Sequence, residues 1–364
     1  MGGREGLDLS LLPDGGMRWL DASGAYPDVV ISTRMRLARN VMGYAFTARA
    51  REGERLRLLA QVRDAVAGVP SLRESLLVRL DALAAPERQL LCERHLVSKE
   101  LAGVEAPHVV RGGAAVFLAD GVGVMVNEED HLRLQSLRAG FAVGDAFSAV
   151  DRLDRELGGC LPYAFHREFG FLTACPTNAG TGLRASVLIH LPGLVLTKEI
   201  SKVLAGLQQM GLTYRGLYGE GSDVVGNFFQ LSNQTTLGRT EEELQDLLTR
   251  VVRHVIEREE EARRVLVREA GYIIEDKLWR AYGTLRHARS LTFDEAMNYL
   301  SSVRLAVGLK LIPGVRVYTL NKLLVFAQGA HVARQEGRVL TEPEVSQARA
   351  RLVREALAAD GAVE

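Results

Sequence analysis

Strand-like segments occupy only the first two thirds of this sequence. Between about residue 25 and residue 238, seven short stretches of apolar or alternating residues are bounded by Gly, Pro, Asn or Asp, as strands commonly are. They are DVVISTRMRLARN, GAAVFLAD, VGVMVNEED, FLTACPTN, RASVLIHLP, LTYRGLYGE and GNFFQLSNQ. Between them lie helical patterns with apolar residues three and four apart, such as ERLRLLAQVRDAVAG and LTKEISKVLAGLQQM. This region therefore predicts a domain of α/β or α+β class.

After residue 239 the sequence predicts helices almost exclusively. Thr240 with Glu243 forms a capping box ahead of a long apolar helical face, and Thr292 with Glu295 opens another helix. Further helical patterns cover about residues 318–333 and 343–358. The last hundred residues therefore predict an all-α domain, whose exposed apolar faces would suit a partner or a second copy of the chain.

The charged run EREEEARR, residues 257–264, marks the expected domain boundary. Its density of charge predicts that it continues the preceding helix on a solvated surface. We therefore expect an N-terminal tail of residues 1–24, a mixed domain of residues 25–256 and a helical domain of residues 257–364.

Composition excludes several classes of protein. Forty-five basic and 45 acidic residues give a formal net charge of zero, which argues against a protein that coats nucleic acid. The three cysteines lie far apart with no CxxC pair, so the sequence predicts neither disulfides nor a zinc knuckle, and we expect a reducing cytoplasm. No apolar run is long enough to cross a membrane, and the first residues lack the pattern of a secretory signal.

Five arginines are placed where they could bind a polyanion. Arg34 and Arg36 are two residues apart in a strand, so both side chains would point to one face. Arg133, Arg184 and Arg215 each lie beside a turn. Each alone could be an ordinary surface residue, but several guanidinium groups at strand ends could together cradle phosphates. The usual phosphate loop is absent, because the chain contains no Gly-Lys dipeptide.

Three further features have both a structural and a chemical interpretation. The acidic cluster of residues 127–131, NEEDH, is either a solvated turn that caps the next helix or a general-base or metal site at a strand end. Glu220, in GEGSD, lies either in an ordinary glycine-rich turn or in a loop that delivers a carboxylate to a substrate. Cys175 is either a buried small apolar residue or a thiolate favoured by Arg184.

In order along the chain, these motifs resemble the phosphagen kinase family, and most closely its bacterial branch, the protein-arginine kinases. The resemblance covers about residues 25–250. It is carried by ISTRMRLARN, the histidine in CERHL, VNEEDHLR, CPTNAGTGLRASV and RGLYGEGSDVVGNFFQLSNQTTLG.

The resemblance implies an α+β catalytic domain, an antiparallel sheet backed by helices, that binds ATP and Mg²⁺, with the all-α domain following it. It implies that Glu129 and Glu220 hold the substrate guanidinium and that Cys175 lines the same pocket. It assigns no protein ligand to the metal. It implies the following nucleotide contacts: Ser32, Thr33, Arg34, Met35, Arg36, His95, Arg133, Arg184, Ala185, Ser186, Val187, Leu188, Arg215, Gly216, Leu217, Tyr218, Gly219 and Glu220.

The substrate expected from the resemblance is an arginine side chain in a protein. Only about thirty residues precede STRMR, too few for the N-terminal helical domain that small-molecule phosphagen kinases carry. The resemblance also implies a role in bacterial stress response and protein quality control, with a heat-shock repressor and Clp protease clients as partners. It implies a cytoplasmic homodimer joined through the C-terminal domain, without membrane or direct nucleic-acid binding.

One stretch departs from the family pattern. Protein-arginine kinases typically carry RDxxRA in the C-terminal domain, a motif associated with an allosteric phosphoarginine pocket. Here the corresponding residues are VSQARA, in which Arg349 and Ala350 remain but Val345 and Ser346 replace the Arg-Asp pair. The resemblance therefore does not extend to that regulation.

Other functions stay open on the sequence alone. One alternative is a phosphagen kinase that acts on free arginine, and another is a non-catalytic adaptor with the same fold. The retention of Glu129, Glu220 and all five arginines argues against the adaptor. A DNA-binding repressor is disfavoured by the zero net charge and by the lack of a clear helix-turn-helix pattern.

Overall fold

The structure is a computed structural model that describes residues 7–104, 109–217 and 224–360. Its strands are β1 Val30–Arg39, β2 Leu76–Arg79, β3 Ala115–Ala119, β4 Val122–Val126, β5 Leu132–Ala139, β6 Phe165–His166, β7 Gly170–Phe171, β8 Leu183–His190, β9 Leu212–Arg215 and β10 Phe228–Asn233. Its helices are α1 Glu52–Val66, α2 Ala85–Glu93, α3 Lys99–Ala102, α4 Val143–Gly158, α5 Pro192–Leu196, α6 Ile200–Gln209, α7 Glu241–His287, α8 Phe293–Gly308, α9 Val317–Phe326, α10 Gly329–Glu336 and α11 Glu342–Asp360.

Eight of the strands form one antiparallel sheet in the order β2-β3-β4-β5-β1-β8-β10-β9. Side chains alternate between the two faces of a strand, so each strand contributes to both faces. One face is apolar and packs on helices α1, α4, α6 and the first half of α7. The predicted α+β class, with an antiparallel sheet backed by helices, is confirmed.

The helical part of the chain forms a second core, made by the second half of α7 with α8, α9 and α11. Both predicted capping boxes are present, since Thr240 and Thr292 accept the backbone N–H groups of Glu243 and Glu295. A capping box satisfies N–H groups that a helix start leaves without partners. Among the described residues, no helix has the length and apolar content that crossing a bilayer requires.

The charged run at 257–264 is only partly solvated. The prediction that it lies on a solvated surface is wrong for Glu259 and Arg263, which are buried. Glu259 is fully buried, and its carboxylate accepts the backbone N–H groups of Gly193 and Leu194, both at 2.9 Å, and the Nε of Arg263 at 2.7 Å. Burial raises the pKa of Glu259, while Arg263 opposes that rise. A carboxylate at the first N–H groups of a helix is well placed, and this one fixes α5 to α7.

Helix α7 continues through the predicted boundary at residue 257. Its 47 residues contain one non-helical position, Ala270, with φ −139° and ψ 26°. Buried residues up to Ala262 belong to the core under the sheet, and those from Leu266 belong to the helical core. The change of core therefore falls near the middle of the helix.

Part of the predicted N-terminal tail is packed against the rest of the protein. Met17, Trp19 and Leu20 are buried in the helical core. Asn321, on α9, donates from its side-chain amide to the carbonyl of Leu20 at 2.9 Å. This segment therefore bridges the sheet and the helical region.

Two strand predictions differ from the structure. The stretch FLTACPTN forms only the end of a two-residue strand and then a 3-10 turn at Pro176–Asn178. Conversely, the residues after the acidic cluster form strand β5, whereas one interpretation of the sequence placed a helix there. Strand β5 pairs with both β1 and β4, so it is an inner strand of the sheet.

Candidate active site

The second face of the sheet carries the arginines. In β1 the side chains of Arg34 and Arg36 share this face, as their spacing predicts. Residues directly opposite in an antiparallel pair point to the same side. Arg36 is opposite Arg184, Ala38 is opposite Arg133, and Arg215 is opposite Gln230, which is itself opposite Leu188 on the same face. The register thus brings together the five arginines that the sequence picked out.

These arginines line a cleft of about 520 Å³. The cleft also contains His95, Glu128, Glu129, Asn178 and Gln230. Polar and charged side chains therefore dominate its wall, and the five arginines come from four different strands.

The arginines repel one another in this cleft. Burial, followed by Arg184 and Arg133, lowers the pKa of Arg34 to about 10. Burial, followed by Arg34 and Arg133, lowers the pKa of Arg36 well below its ordinary value. Among the residues that the structure describes, the buried Nε of Arg36 has no hydrogen-bond partner. Such a cluster is stabilised by a bound anion with several oxygens.

Four predicted nucleotide contacts have side chains on the opposite face of the sheet. Thr33, Met35, Ala185 and Val187 are each fully buried towards the helices. The Oγ1 of Thr33 donates to the carbonyl of Gly140 at 2.7 Å. The side chains of these four therefore do not face the arginine cleft, because a strand exposes only alternate side chains to one face. A nucleotide contact by these residues stays a prediction and would have to use their backbone.

Four further predicted contacts lie at one end of the arginine cluster. Ser32, Ser186, Leu188 and Leu217 surround a small cavity of about 10 Å³ with His95, Trp19, Arg34, Leu137 and Gln230. The Trp19 and His95 rings meet edge to face, with centroids 5.2 Å apart. Burial, with Arg34 and Arg36, lowers the pKa of His95 to about 3. His95 is therefore a neutral ring beside an apolar wall at neutral pH.

The acidic cluster forms a tight turn between β4 and β5. Asn127 has φ 59°, and its side-chain amide donates to the carbonyls of Arg55 and Gly113. His131 receives the backbone N–H of Val41 at its Nδ1, 3.0 Å away. Side chains of the cluster are thus tied to neighbouring segments, and the turn does not cap a helix.

Its two glutamates have different surroundings. The Glu128 carboxylate is buried and binds Arg133 at 2.5 Å and the Ser98 hydroxyl at 2.6 Å. The Glu129 side chain is 42% exposed in the cleft and reaches Arg133 at 3.2 Å. Burial would lower the pKa of Arg133, but Glu128 and Glu129 outweigh it and raise that pKa. Of these two glutamates, Glu129 is therefore the one whose carboxylate is accessible from the cleft.

The loop with Cys175 is attached to the same turn. The buried Asp130 carboxylate accepts the backbone N–H of Ala174 at 2.6 Å and the Asn40 side-chain amide at 2.7 Å. The Sγ of Cys175 lies 3.0 Å from the Thr177 hydroxyl. Cys175 is partly exposed, which excludes the interpretation as a fully buried apolar residue.

Three predicted site residues, Tyr218, Gly219 and Glu220, lie outside the described residues. Gly216 is described and is buried at the end of β9. In the described part of the chain, no group of three or more His, Cys, Asp or Glu side chains is arranged to hold a metal ion.

The sequence did not indicate Gln230 or Trp19. Gln230 lines the cleft and accepts from Arg34 at 3.3 Å, and Trp19 lines the small cavity and contacts the His95 ring. Gln230 could have been found, because a polar residue that alternates with Phe229 and Leu231 marks the site face of the strand. Trp19 comes from a segment without any periodic pattern.

Two family models match the chain. Residues 58–262 match the C-terminal catalytic domain of ATP:guanido phosphotransferases. Residues 272–363 match the C-terminal domain of the protein-arginine kinase McsB. The two matches meet around Ala270, where α7 departs from helical geometry.

Similar proteins agree with both models. The chain is 43% identical to the protein-arginine kinase of Desulforamulus reducens, over 93% of this chain and 95% of that protein. It is 44% identical to the protein-arginine kinase of Symbiobacterium thermophilum, over 94% and 97% respectively. Among solved structures, the duplicated taurocyamine kinase of Schistosoma mansoni with bound transition state analogue components matches with a TM-score of 0.58 and 26% identity, over 69% of this chain and 35% of that chain. Lombricine kinase matches with a TM-score of 0.55 and 25% identity, over 72% and 71%.

Proposed function

Because the chain belongs to the ATP:guanido phosphotransferase family and to its protein-arginine kinase branch, we propose that it transfers the γ-phosphoryl group of ATP to arginine side chains of proteins. The observation that carries this proposal is the pairing, in one cleft, of five arginines with the accessible carboxylate of Glu129. The arginines suit a polyphosphate, and the carboxylate suits a guanidinium group.

The arginines are proposed to hold the phosphates of ATP. Phosphoryl transfer passes through a loose transition state with charge spread over the phosphoryl oxygens and the leaving ADP. Fixed positive charge in a poorly hydrated cleft stabilises that charge without reorganisation. The apolar end of the cleft, with His95, Leu188 and Leu217, suits the base of the nucleotide. Mg²⁺ bound together with ATP would supply positive charge that neutralises the phosphates.

Glu129 is proposed to hold and deprotonate the substrate guanidinium. That group has a pKa above roughly 12 and is a poor nucleophile until it loses a proton as the N–P bond forms. A half-exposed carboxylate beside the arginine cluster can orient the planar group in line with the γ-phosphorus. Glu220 is proposed as a second carboxylate for the same guanidinium, on the basis of its motif.

The direct test is incubation of the protein with MgATP and an arginine-rich protein, followed by detection of acid-labile phosphate on arginine. Free arginine at matched concentration serves as the second substrate. Transfer only to free arginine would favour a small-molecule phosphagen kinase. Binding of partners without any transfer would favour an adaptor.

Activity should fall in mildly acidic solution because of Glu129. Burial, together with the carboxylates of Glu128, Asp130 and Glu100, raises the pKa of Glu129 above its ordinary value of 4.5, and Arg133 only partly opposes this. The ionised form accepts the proton, so activity is retained above the raised pKa and is lost as pH falls through it. We expect the acid limb of kcat/KM to lie above pH 4.5 while circular dichroism still shows folded protein. An acid limb at or below pH 4.5 would contradict this.

Replacement of Cys175 by serine should lower activity only moderately. We propose that the thiol lines the guanidinium pocket and forms no covalent bond to the phosphoryl group, so that a hydroxyl of similar shape can replace it. We expect kcat to fall less than about tenfold, far less than the loss on removing a general base. Steady-state kinetics at several pH values measure this, and a complete loss in folded protein would show that the thiol is required.

Cellular role and assembly are also part of the proposal. We propose a cytoplasmic enzyme of stress response and protein quality control that forms homodimers through its helical domain, with the boundary between domains near Ala270. The protein-arginine kinase relatives and the match of residues 272–363 support this assignment.

A further inference from the structure

A buried polar contact joins the helical region to the nucleotide side of the cleft. Glu93, the last residue of α2, and His331, in the first turn of α10, are each about 4% exposed. The Glu93 carboxylate accepts the backbone N–H groups of Ala330 and His331, at 3.1 and 3.2 Å, and the Nδ1 of His331 at 2.8 Å. It therefore satisfies donors that the start of α10 would otherwise leave without partners.

Both ring nitrogens of His331 are engaged in this contact. Nδ1 faces a carboxylate and must donate, whereas Nε2 accepts from the Nε of Arg94 at 3.1 Å. A second N–H group of Arg94 donates to the carbonyl of Gly15 at 2.7 Å. Burial lowers the pKa of His331, as expected for a neutral ring between these partners. The contact thus joins α2, α10 and the N-terminal segment.

His95 follows Arg94 in the chain and has an unusual backbone conformation. His95 follows the end of α2 with φ 59°, a left-handed position where glycine is usually found. The N–H of Leu96 returns to the carbonyl of Leu91 at 3.0 Å, which closes the helix end around it. A histidine in this conformation costs energy that surrounding contacts must offset, and such positions concentrate at functional sites.

We propose that Glu93 and His331 are positioning residues that hold His95 against Trp19 in the nucleotide site. This inference rests on the proposed function only in placing ATP beside His95. Residues of the helical region thereby take part in ATP binding without touching the nucleotide. His331 holds Glu93 and Arg94, and these two residues fix the backbone that presents His95.

Trp19 provides a direct readout of this arrangement. The chain has two tryptophans, Trp19 and Trp279, and Trp279 is 42% exposed on α7. A Trp279→Phe background leaves Trp19 as the sole tryptophan, with the His95 ring at 5.2 Å, and its emission is excited selectively over that of the tyrosines. Its emission reports the position of His95 before any nucleotide is added.

The experiment compares His331→Ala, His331→Asn and Glu93→Gln with Asp360→Asn in that background. The control carboxylate, Asp360, is also buried and binds Arg316 and Thr319, all within the helical region. We expect His331→Ala and Glu93→Gln to shift Trp19 emission and to raise KM for ATP about tenfold, with kcat within about twofold. His331→Asn, which keeps a donor towards Glu93, should recover most of the ATP affinity. Asp360→Asn should lower Tm and leave KM unchanged.

Unchanged emission and unchanged KM in folded His331→Ala would overturn the proposal. So would parallel losses of stability, kcat and KM in all variants, including Asp360→Asn, because that pattern is purely structural. If His331→Ala does not fold, Glu93→Gln gives the same comparison. A wild-type protein that neither binds nor uses ATP would overturn the proposed function instead, while the shift in Trp19 emission without nucleotide would still test the positioning role.

Discussion

Replacement of Glu129 by glutamine is expected to lower kcat by roughly 10²- to 10⁴-fold, the usual contribution of a general base. Glutamine keeps the shape of the side chain and one acceptor oxygen, but it cannot take a proton from a guanidinium group. The loss should appear in kcat with a smaller change in KM for ATP, because Glu129 is proposed to contact the acceptor guanidinium and not the nucleotide. Rapid-quench measurement of phosphoarginine formation separates this step from product release.

The neighbouring glutamate is the matched control. Glu128→Gln removes a carboxylate that is buried against Arg133 and Ser98 and cannot reach a substrate. We expect it to lower stability and to raise KM for ATP, because Arg133 loses its main partner. If the two variants have the same kinetic profile, or if Glu129→Gln keeps wild-type kcat, then Glu129 is not the base.

The sheet face that carries the arginines could be predicted from the sequence because its signal is local. Arg34 and Arg36 in one strand must share a face, and this follows from the two-residue period alone. The register that brings Arg133, Arg184 and Arg215 to the same face is not local, because it depends on pairing between distant strands. From the sequence, only the order of the family motifs indicated that these three arginines belong to one site.

The inner strand β5 was not predicted because the sequence around it is also compatible with a helix start. In β5 the residues Leu132 and Leu134 alternate with Arg133 and Gln135, a period of two that favours a strand. The acidic residues just before it can equally cap a helix, and that alternative concealed the alternation. The positions of Met35 and Val187 follow the same rule, since a motif names consecutive residues and a strand offers only alternate ones to a ligand.

Buried charges at the junction of the two cores could not be predicted. Glu259 lies in a run where charged residues outnumber all others, and composition there favours exposure. Its partners, the N–H groups of Gly193 and Leu194, are more than sixty residues away in the chain. Glu93 and His331 are 238 residues apart, and no sequence motif connects them. Such pairs depend on how the domains are arranged, which helix periodicity does not describe.

Replacement of Arg36 by methionine should make the protein more stable and nearly inactive. The Arg36 guanidinium lies among Arg34, Arg133 and Arg184, and its pKa is lowered first by burial and then by repulsion from these arginines. Methionine fills much of the same volume without charge, so we expect Tm to rise by a few degrees. If Arg36 holds a phosphate as proposed, the transition state loses one guanidinium that donates to its phosphoryl oxygens, which costs about 3 kcal/mol, or two orders of magnitude in kcat/KM.

The opposite signs of these two effects make the test specific. Arg138→Met is the control, because Arg138 lies in β5 with its side chain off the site face and donates to the carbonyl of Gly121 at 2.8 Å. That variant should lose stability and keep its activity and its stabilisation by ATP. In Arg36→Met, thermal unfolding with and without MgATP should show a higher basal Tm and a much smaller shift on adding nucleotide. A lower basal Tm with a normal nucleotide shift would mean that Arg36 is a structural residue. It would also mean that the arginine cluster does not lower the stability of the protein in order to bind phosphates.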